Sequence, residues 1–184
     1  METKDRIRSR FLALRDSMEP ESVRTLGLAA AERAVGILES SGAAWISLYA
    51  EIRNEVATGP IFERMRERGI HLCFPRLAPG GIEFVEIGDL SELEEGRWGI
   101  REPKKGAALS TGKLDLVVVP GVAFDLGGRR IGFGQGYYDR ALSGFHGVLA
   151  GLGYDFQVVE EIPFDAGDLR CRWVVTDRRA IRAS

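Results

Sequence analysis

The sequence predicts an α/β fold of three layers, α/β/α, around a mostly parallel central sheet of about six strands. Three observations predict it. Runs at 43–49, 116–119 and 148–152 are apolar at nearly every position, as strands covered on both faces require. Helix-length patterns separate the runs, and strand–helix–strand order with short links implies right-handed parallel crossovers. No internal repeat, low-complexity run or linker interrupts the 184 residues, which suits a single domain over 1–184.

Residues 3–17 have helical periodicity. Ile7, Phe11 and Leu14 fall on one stripe, the spacing of an apolar helix face. Lys4, Arg8 and Arg15 form a second stripe, about 60° from the first at 100° per residue. The cations therefore sit on the rim of the buried face, where they either border a cleft or lay their stems over apolar neighbours. Pro20 suits the first turn of a second helix, which is rich in Ala and Leu and runs to about Glu39 before Ser40-Ser41-Gly42.

AAWISLY at 43–49 is the first strand. AEIRNEVATGP after it is a polar loop at a strand's carboxyl end, with Glu55 its most notable carboxylate. Residues 60–68 make a third helix, ended by Gly69. Ile70 to Phe74 is the second strand, stopped by Pro75-Arg76. Gly80-Gly81 reads as a turn, and Ile82 to Ile87 alternates like an exposed strand. DLSELEEGRWGIREP then runs as a loop. Its Trp98 either folds back on the core or offers a stacking platform to a planar ligand.

After the strand at 116–119, Gln135 to Leu142 starts a helix and Val148 to Leu152 is a strand. Gln157 to Ile162 reads as a short helix ended before Pro163, and Asp168 lies in the loop FDAGDLR. Trp173 to Val175 is the last strand, and the basic tail TDRRAIRAS is expected to fray. In sheets of this kind ligands sit beyond the strands' carboxyl ends. The loops holding Glu55, Arg76, the glycines and Asp168 are candidates for that edge.

Hydrophobic residues make up 45% of the chain and charged residues 28%, ordinary for a soluble domain. A net charge of −2 supplies no global field for nucleic acid or anionic lipid, so any basic function is local. Cys73 and Cys171 sit singly in apolar or strand-like contexts and read as buried thiols in a reducing compartment. METKDRIRSR is too charged for a signal peptide, and no apolar run approaches the ~20 residues of a membrane span. The expectation is a cytoplasmic monomer without nucleic-acid or membrane partners.

The densest chemistry lies in 115–140, DLVVVPGVAFDLGGRRIGFGQGYYDR. It lacks the GxxxxGK[ST] of a Walker A loop, and its glycines are spaced GxGxG rather than the GxGxxG of the dinucleotide fingerprint. Its physics is still that of phosphate cradling. Alternating glycines let successive N–H groups turn toward one anion, and a helix start behind them adds partial positive charge. Arg129 and Arg130 precede the loop and Arg140 follows it. Asp139 can hold a magnesium ion bridging phosphates, with Asp168 or Asp165 as a second carboxylate. The alternative is a tight hairpin at DLGGRRI with no ligand. His71 and His146 form no metal cluster and no triad spacing, and no CxxC is present.

VPGVAFDLGGRRIGFGQGYYDRAL resembles the signature of the 5-formyltetrahydrofolate cyclo-ligases, also called methenyltetrahydrofolate synthetases. KDRIR followed by Arg15, NEVAT at 54–58, FPR at 74–76, GIREP at 99–103, QVVEEIPFDAGD and WVVTD resemble further family segments in the family's order. The resemblance implies ATP- and magnesium-dependent closure of 5-formyltetrahydrofolate to 5,10-methenyltetrahydrofolate, with ADP and phosphate released. It implies phosphorylation of the formyl oxygen, attack by N10, and no protein nucleophile.

Carried over residue by residue, the resemblance gives Lys4, Arg8, Arg130, Gly132, Phe133, Gly134, Gln135, Gly136, Tyr137 and Tyr138 to ATP. It gives Ala50, Glu55 and Trp98 to the folate, with Gly134, Gln135, Gly136 and Tyr137 where folate and ATP meet. It gives Asp139 and Asp168 to magnesium. Phe133, Gln135 and Gly167 depart from the family's common residues. Rival readings are a non-catalytic folate- or nucleotide-binding paralogue and another ATP-dependent ligase or kinase. An RNA-associated module is opposed by the net charge.

Overall fold

The computed structural model describes residues 2–183. Helices α1 (Lys4–Asp16) and α2 (Pro20–Ser41) lead to strand β1 (Trp45–Ser47), helix α3 (Gly59–Glu67) and the hairpin of β2 (His71–Ala78) and β3 (Gly81–Glu86). A second hairpin, β4 (Leu93–Glu95) and β5 (Arg101–Pro103), precedes β6 (Ala108–Leu109) and β7 (Leu116–Pro120). Then follow β8 (Ala123–Asp125), β9 (Arg130–Ile131), helix α4 (Tyr137–Ala141), β10 (Val148–Leu152), β11 (Val158–Val159), β12 (Trp173–Val175) and β13 (Ala180–Arg182).

The main sheet has eight strands in the order β13-β12-β10-β7-β1-β2-β3-β6. Neighbours from β12 to β2 run parallel, while β13, β3 and β6 pair antiparallel toward the edges. All six expected strands are in it. The two further strands are edge segments of two and three residues, too short to show a period-two pattern. One of them, β13, ties down the tail expected to fray, with Ile181 opposite Val174.

The central strand β7 is buried from Leu116 to Val119 because its two faces feed two cores. Leu116 and Val118 join Ala30, Ala34 and Leu38 of α2 and Ile61, Phe62 and Met65 of α3. Val117 and Val119 join Phe124, Leu142, Leu149 and Cys171 on the opposite face. There α4 supplies a single short helix of five residues, shorter than the expected 135–142. A small sheet, β11-β8-β9, completes that layer. Its Phe124 ring lies so close to β10 that a Cβ on Gly151 would stand 2.4 Å from it.

Four expectations about local structure are corrected. β2 does not stop at Pro75 but runs to Ala78, with Pro75 opposite Phe84. The β1–β2 pairing ends at Cys73, so the proline occupies a stretch with one partner strand, where a missing donor is tolerated. The loop at 89–103 contains the β4–β5 hairpin, with Leu93 opposite Pro103. Gln157 to Ile162 is not a helix: a 3-10 turn ends at Gln157 and the β-branched pair Val158-Val159 adds a strand beside β8. On α1, Leu14 is 48% exposed while Arg15 is 1% exposed. The buried direction centres on Phe11, about 40° from Ile7, and so turns toward the basic stripe.

The buried Gln157 explains why the segment after it leaves the helix path. Its amide nitrogen donates to the carbonyls of Gly121 (3.0 Å) and Val122 (2.7 Å), and its oxygen accepts from the Tyr154 amide (2.9 Å). Gln157→Leu removes all three bonds; the Gly121 carbonyl keeps a bond from Arg15 (3.1 Å), but the Val122 carbonyl and the Tyr154 amide lose the partner that Gln157 gave them, and the change is expected to cost about 3 kcal/mol. Urea unfolding measures it. A loss below about 1 kcal/mol would show that the chain repacks around the change.

Candidate active site

A cavity of about 720 Å³ opens at the carboxyl end of the sheet, lined by Tyr49 and Ala50 after β1 and by Pro120 and Gly121 at the end of β7. This is the crevice an open parallel sheet offers. The chain leaves β1 on one side toward β2 and reaches β7 on the other, so the strand order reverses there.

Helix α1 forms one wall. The Thr3 side chain caps its start, and Ile7 and Phe11 anchor it in a small apolar cluster with Val122, Ala123 and Ile131. That docking aims Lys4 and Arg8 into the cavity. Arg8 pairs with Asp5 and donates from Nε to the carbonyl of Gly132 (2.9 Å). Gly134, which faces the Arg8 guanidinium, has φ +95°. That backbone conformation favours glycine.

Lys4 reaches across to the loop after β11, pairing with Asp165 and Asp168. Burial by itself would lower the Lys4 pKa, but the two carboxylates outweigh it and raise it. Burial likewise acts to raise Asp168, and the hydrogen bonds from Lys4 and from the Asp165 amide turn the net shift downward. Arg130, 8% exposed, pairs with Asp139 at 3.0 Å. Asp139 Oδ1 also accepts from the Leu169 amide (3.2 Å), which sets it beside Asp168.

These residues fit a magnesium–triphosphate group. Among the described residues no cluster of three or more metal-ligating side chains exists. Magnesium, however, is commonly held by one or two carboxylates together with phosphate oxygens and water; Asp139 and Asp168, paired here with Arg130 and Lys4, are the carboxylates that would hold it. Lys4, Arg8 and Arg130 supply cations beside them. The Nε of Arg130 is buried with no partner, a donor left over for an anion.

The other part of the cavity is built around Glu55, 5% exposed. Its Oε2 accepts from the Ile52 amide (3.0 Å). Its Oε1 has no hydrogen bond and faces the equally unpartnered Nη2 of Arg15 at 3.7 Å. Arg15 is fixed by its other nitrogens, which donate to the carbonyls of Arg53 (2.8 Å) and Gly121 (3.1 Å). Burial pushes the Glu55 carboxyl up to about 7, against the pull of Arg15 and of the Ile52 amide. Tyr49 and Tyr138 are also raised by burial and by the Glu55 charge.

Lys4, Arg8, Ala50, Glu55, Trp98, Arg130, Gly132, Phe133, Gly134, Gln135, Gly136, Tyr137, Tyr138, Asp139 and Asp168 all line this one cavity. Arg76 lines it too, paired with Glu83. Arg129 turns away to Glu161, and Asp165 stays exposed outside the wall. Trp98 does not fold back on the core: it is 66% exposed at the tip of the β4–β5 hairpin, with φ +58°. Sequence reasoning missed Tyr49, Arg53 and Glu102 on the wall, and it placed Arg15 on the rim of the buried face where the structure buries it behind the wall. The signal for Arg15 was its place four residues after Phe11, which continues the buried stripe as well as Leu14 does.

The raised Glu55 pKa has a defined sign. Between its ordinary value of 4.5 and about 7, only the folded state holds the proton. Its contribution to stability is therefore complete at low pH and is lost as pH rises through about 7. Glu55→Gln, which cannot ionise, is expected to gain stability relative to the parent across that window. Urea midpoints of both proteins from pH 5 to 8, roughly the span in which folds are most stable, measure it; a constant difference would remove Glu55 as the cause.

A sequence profile of the 5-formyltetrahydrofolate cyclo-ligase family matches residues 1–177. The chain is 32% identical over 170 residues to the 5-formyltetrahydrofolate cyclo-ligase of Escherichia coli K12, covering 88% of this chain and 93% of that one. It is 32% identical over 141 residues to the mouse (Mus musculus) 5-formyltetrahydrofolate cyclo-ligase, covering 68% and 69%. The NMR structure of Aquifex aeolicus 5,10-methenyltetrahydrofolate synthetase superposes with a TM-score of 0.87 at 33% identity, covering 97% of this chain and 92% of that one. With its signature loop, first-helix cations and paired aspartates gathered on one crevice, the chain belongs to the 5-formyltetrahydrofolate cyclo-ligase family.

Proposed function

We propose that this protein closes 5-formyltetrahydrofolate to 5,10-methenyltetrahydrofolate with ATP and magnesium, releasing ADP and phosphate. One observation carries the reading: a single cavity joins a cation-and-carboxylate end to a buried, unpartnered acceptor at Glu55. The first end suits a magnesium–triphosphate. The second suits the N–H donors of a pterin, because a buried carboxylate oxygen without a partner is costly until a ligand supplies one.

In the proposed reaction the formyl oxygen attacks the γ-phosphorus and ADP leaves. N10 then attacks the activated carbon and loses its proton to solvent. The carbon–oxygen bond breaks, and phosphate departs to leave the methenyl bridge. Magnesium bound at Asp139 and Asp168 would screen phosphate charge. Lys4, Arg8 and Arg130 hold the phosphates and neutralise the charge that moves among their oxygens. The backbone of Gly132 to Gly136 and the Tyr137 side chain keep both substrates at reacting distance, and such positioning is the main lever in phosphoryl transfer.

No side chain of the cavity has to act as nucleophile. Cys73 and Cys171 are buried, and burial pushes their thiols up to about 12 and about 11, so neither is a thiolate at neutral pH. His71 stacks on Trp45 at 4.0 Å and contacts Glu86 at 2.7 Å, a surface arrangement away from the cavity wall.

The test is direct. Protein incubated with ATP, magnesium and 5-formyltetrahydrofolate should form methenyl product, followed by its near-ultraviolet absorbance. Folate and ATP binding without product would identify a binding paralogue, and failure to bind either would defeat the reading. Asp139→Asn should lower kcat/KM for magnesium–ATP by about 100-fold, as loss of a major electrostatic contact does; the fold should survive, with a lower thermal midpoint because the buried Arg130 loses its paired charge. Lys4→Ala combined with Arg8→Ala should raise KM for ATP. If it alters only stability, the two cations serve to hold α1 down.

A further inference from the structure

A second, open cleft of about 600 Å³ adjoins the first, sharing Leu77 and Tyr137 with it. The charged residues lining it are Arg97 and Arg140. Among the described residues the Arg97 side chain makes no hydrogen bond or ion pair; its guanidinium lies 5.7 Å from the Trp98 ring centre. Arg140 spends one nitrogen on the carbonyl of Gln135 (2.7 Å) and sits 5.3 Å from the Tyr137 ring centre. The two rings approach each other, with centroids 6.3 Å apart at 41°. The junction of the cavities is thus an aromatic pair with a cation behind each ring and unused guanidinium donors beyond.

We infer that Arg97 and Arg140 form a carboxylate subsite that takes the glutamate tail of the folate. The inference rests on the folate reading of the main cavity. A folate runs from a flat pterin through an aminobenzoyl ring to a glutamate with two carboxylates. With the pterin at the buried Glu55, the rest of the molecule must lead outward to the mouth. The mouth is where Trp98 stands exposed, next to Tyr137. An aminobenzoyl ring matches that aromatic saddle, and the carboxylates beyond it arrive at the two guanidinium groups, whose forked donors match a carboxylate. Trp98 then meets the aminobenzoyl ring and not the pterin.

The experiment compares 5-formyltetrahydrofolate with 5-formyltetrahydropteroate, which ends at the aminobenzoate and lacks glutamate. Calorimetry gives Kd for each, without ATP, in the parent and in Arg97→Ala, Arg140→Ala and the double variant. Both arginines are exposed, so the fold should survive, and thermal melts check it. The parent should prefer the glutamate-bearing ligand by about three- to tenfold, the scale of exposed charge pairs, and 0.5 M salt, about three times the physiological level, should shrink the preference. The double variant should bind the two ligands alike, and Arg97→Lys should keep part of the preference.

A preference that survives in the double variant, or a parent that does not discriminate, overturns the subsite. So does an equal loss for both ligands, which marks the arginines as supports of the loop; a matching fall in ATP affinity for Arg140→Ala would trace that support to the Gln135 contact. If the parent binds neither ligand, the folate reading itself falls and the subsite falls with it. Binding without turnover defeats the proposed catalysis alone and leaves the tail comparison decisive.

Discussion

The interaction on which the crevice depends is the burial of the Arg15 guanidinium. Two of its nitrogens are satisfied by carbonyls from separate segments, Arg53 after β1 and Gly121 after β7. The Asn54 side chain returns a hydrogen bond to the Arg15 carbonyl (3.0 Å), and Phe133 of the glycine loop lies 5.5 Å from the cation. A buried cation is tolerated only when its hydrogen bonds and counter-charge are close at hand. Satisfying it therefore fixes α1, two strand-end loops and the glycine loop relative to one another. The price is the incomplete pairing with Glu55, and that leaves the carboxylate oxygen open to a ligand.

The parallel sheet supplies the rest of the geometry. Strands β1 and β7 lie side by side and parallel, with Ile46 opposite Leu116 and Ser47 opposite Val117, and the chain diverges on leaving them. Space opens because no strand or helix of the main layers fills that divergence. Around its margin the fold sets groups whose charges oppose in pairs: Lys4 with Asp168, Arg130 with Asp139. Each pair is partly shielded from water and each can exchange its partner for a phosphate or a divalent cation. The apolar cores on both faces of the sheet carry the stability, so the crevice itself is free to hold unfavourable groupings.

Much of this was legible in the sequence, for identifiable reasons. The strands of the sheet interior announce themselves by unbroken apolar runs, and α2 by its Ala-rich stripe. The wall residues that lie in the signature loop are legible because glycine spacing constrains backbone chemistry locally. What escaped depends on distant partners. Arg15 reads as a cation on the rim of the buried face until the carbonyls of Arg53 and Gly121 are known to face it. Gln157 reads as the start of a helix until its amide is seen holding two carbonyls of a distant segment and the Tyr154 amide of its own turn. Pro75 reads as a strand end until the register shows one neighbour instead of two. Trp98 lacks any periodic context, and only the hairpin beneath it shows that its ring faces outward.

The contact of Lys4 with Asp165 and Asp168 spans more than 160 residues of chain. During synthesis helix α1 emerges well before the loop whose carboxylates hold its lysine. The apolar anchors of α1, Val122 and Ile131 among them, are likewise absent until β8 and β9 have been made. Helix α1 by itself has 13 residues, about the length at which isolated helices are marginal in water. It waits on the ribosome as an unpaired basic segment. The crevice thus closes as one of the last events of folding, and a truncated product, whatever sheet it forms, carries no assembled site.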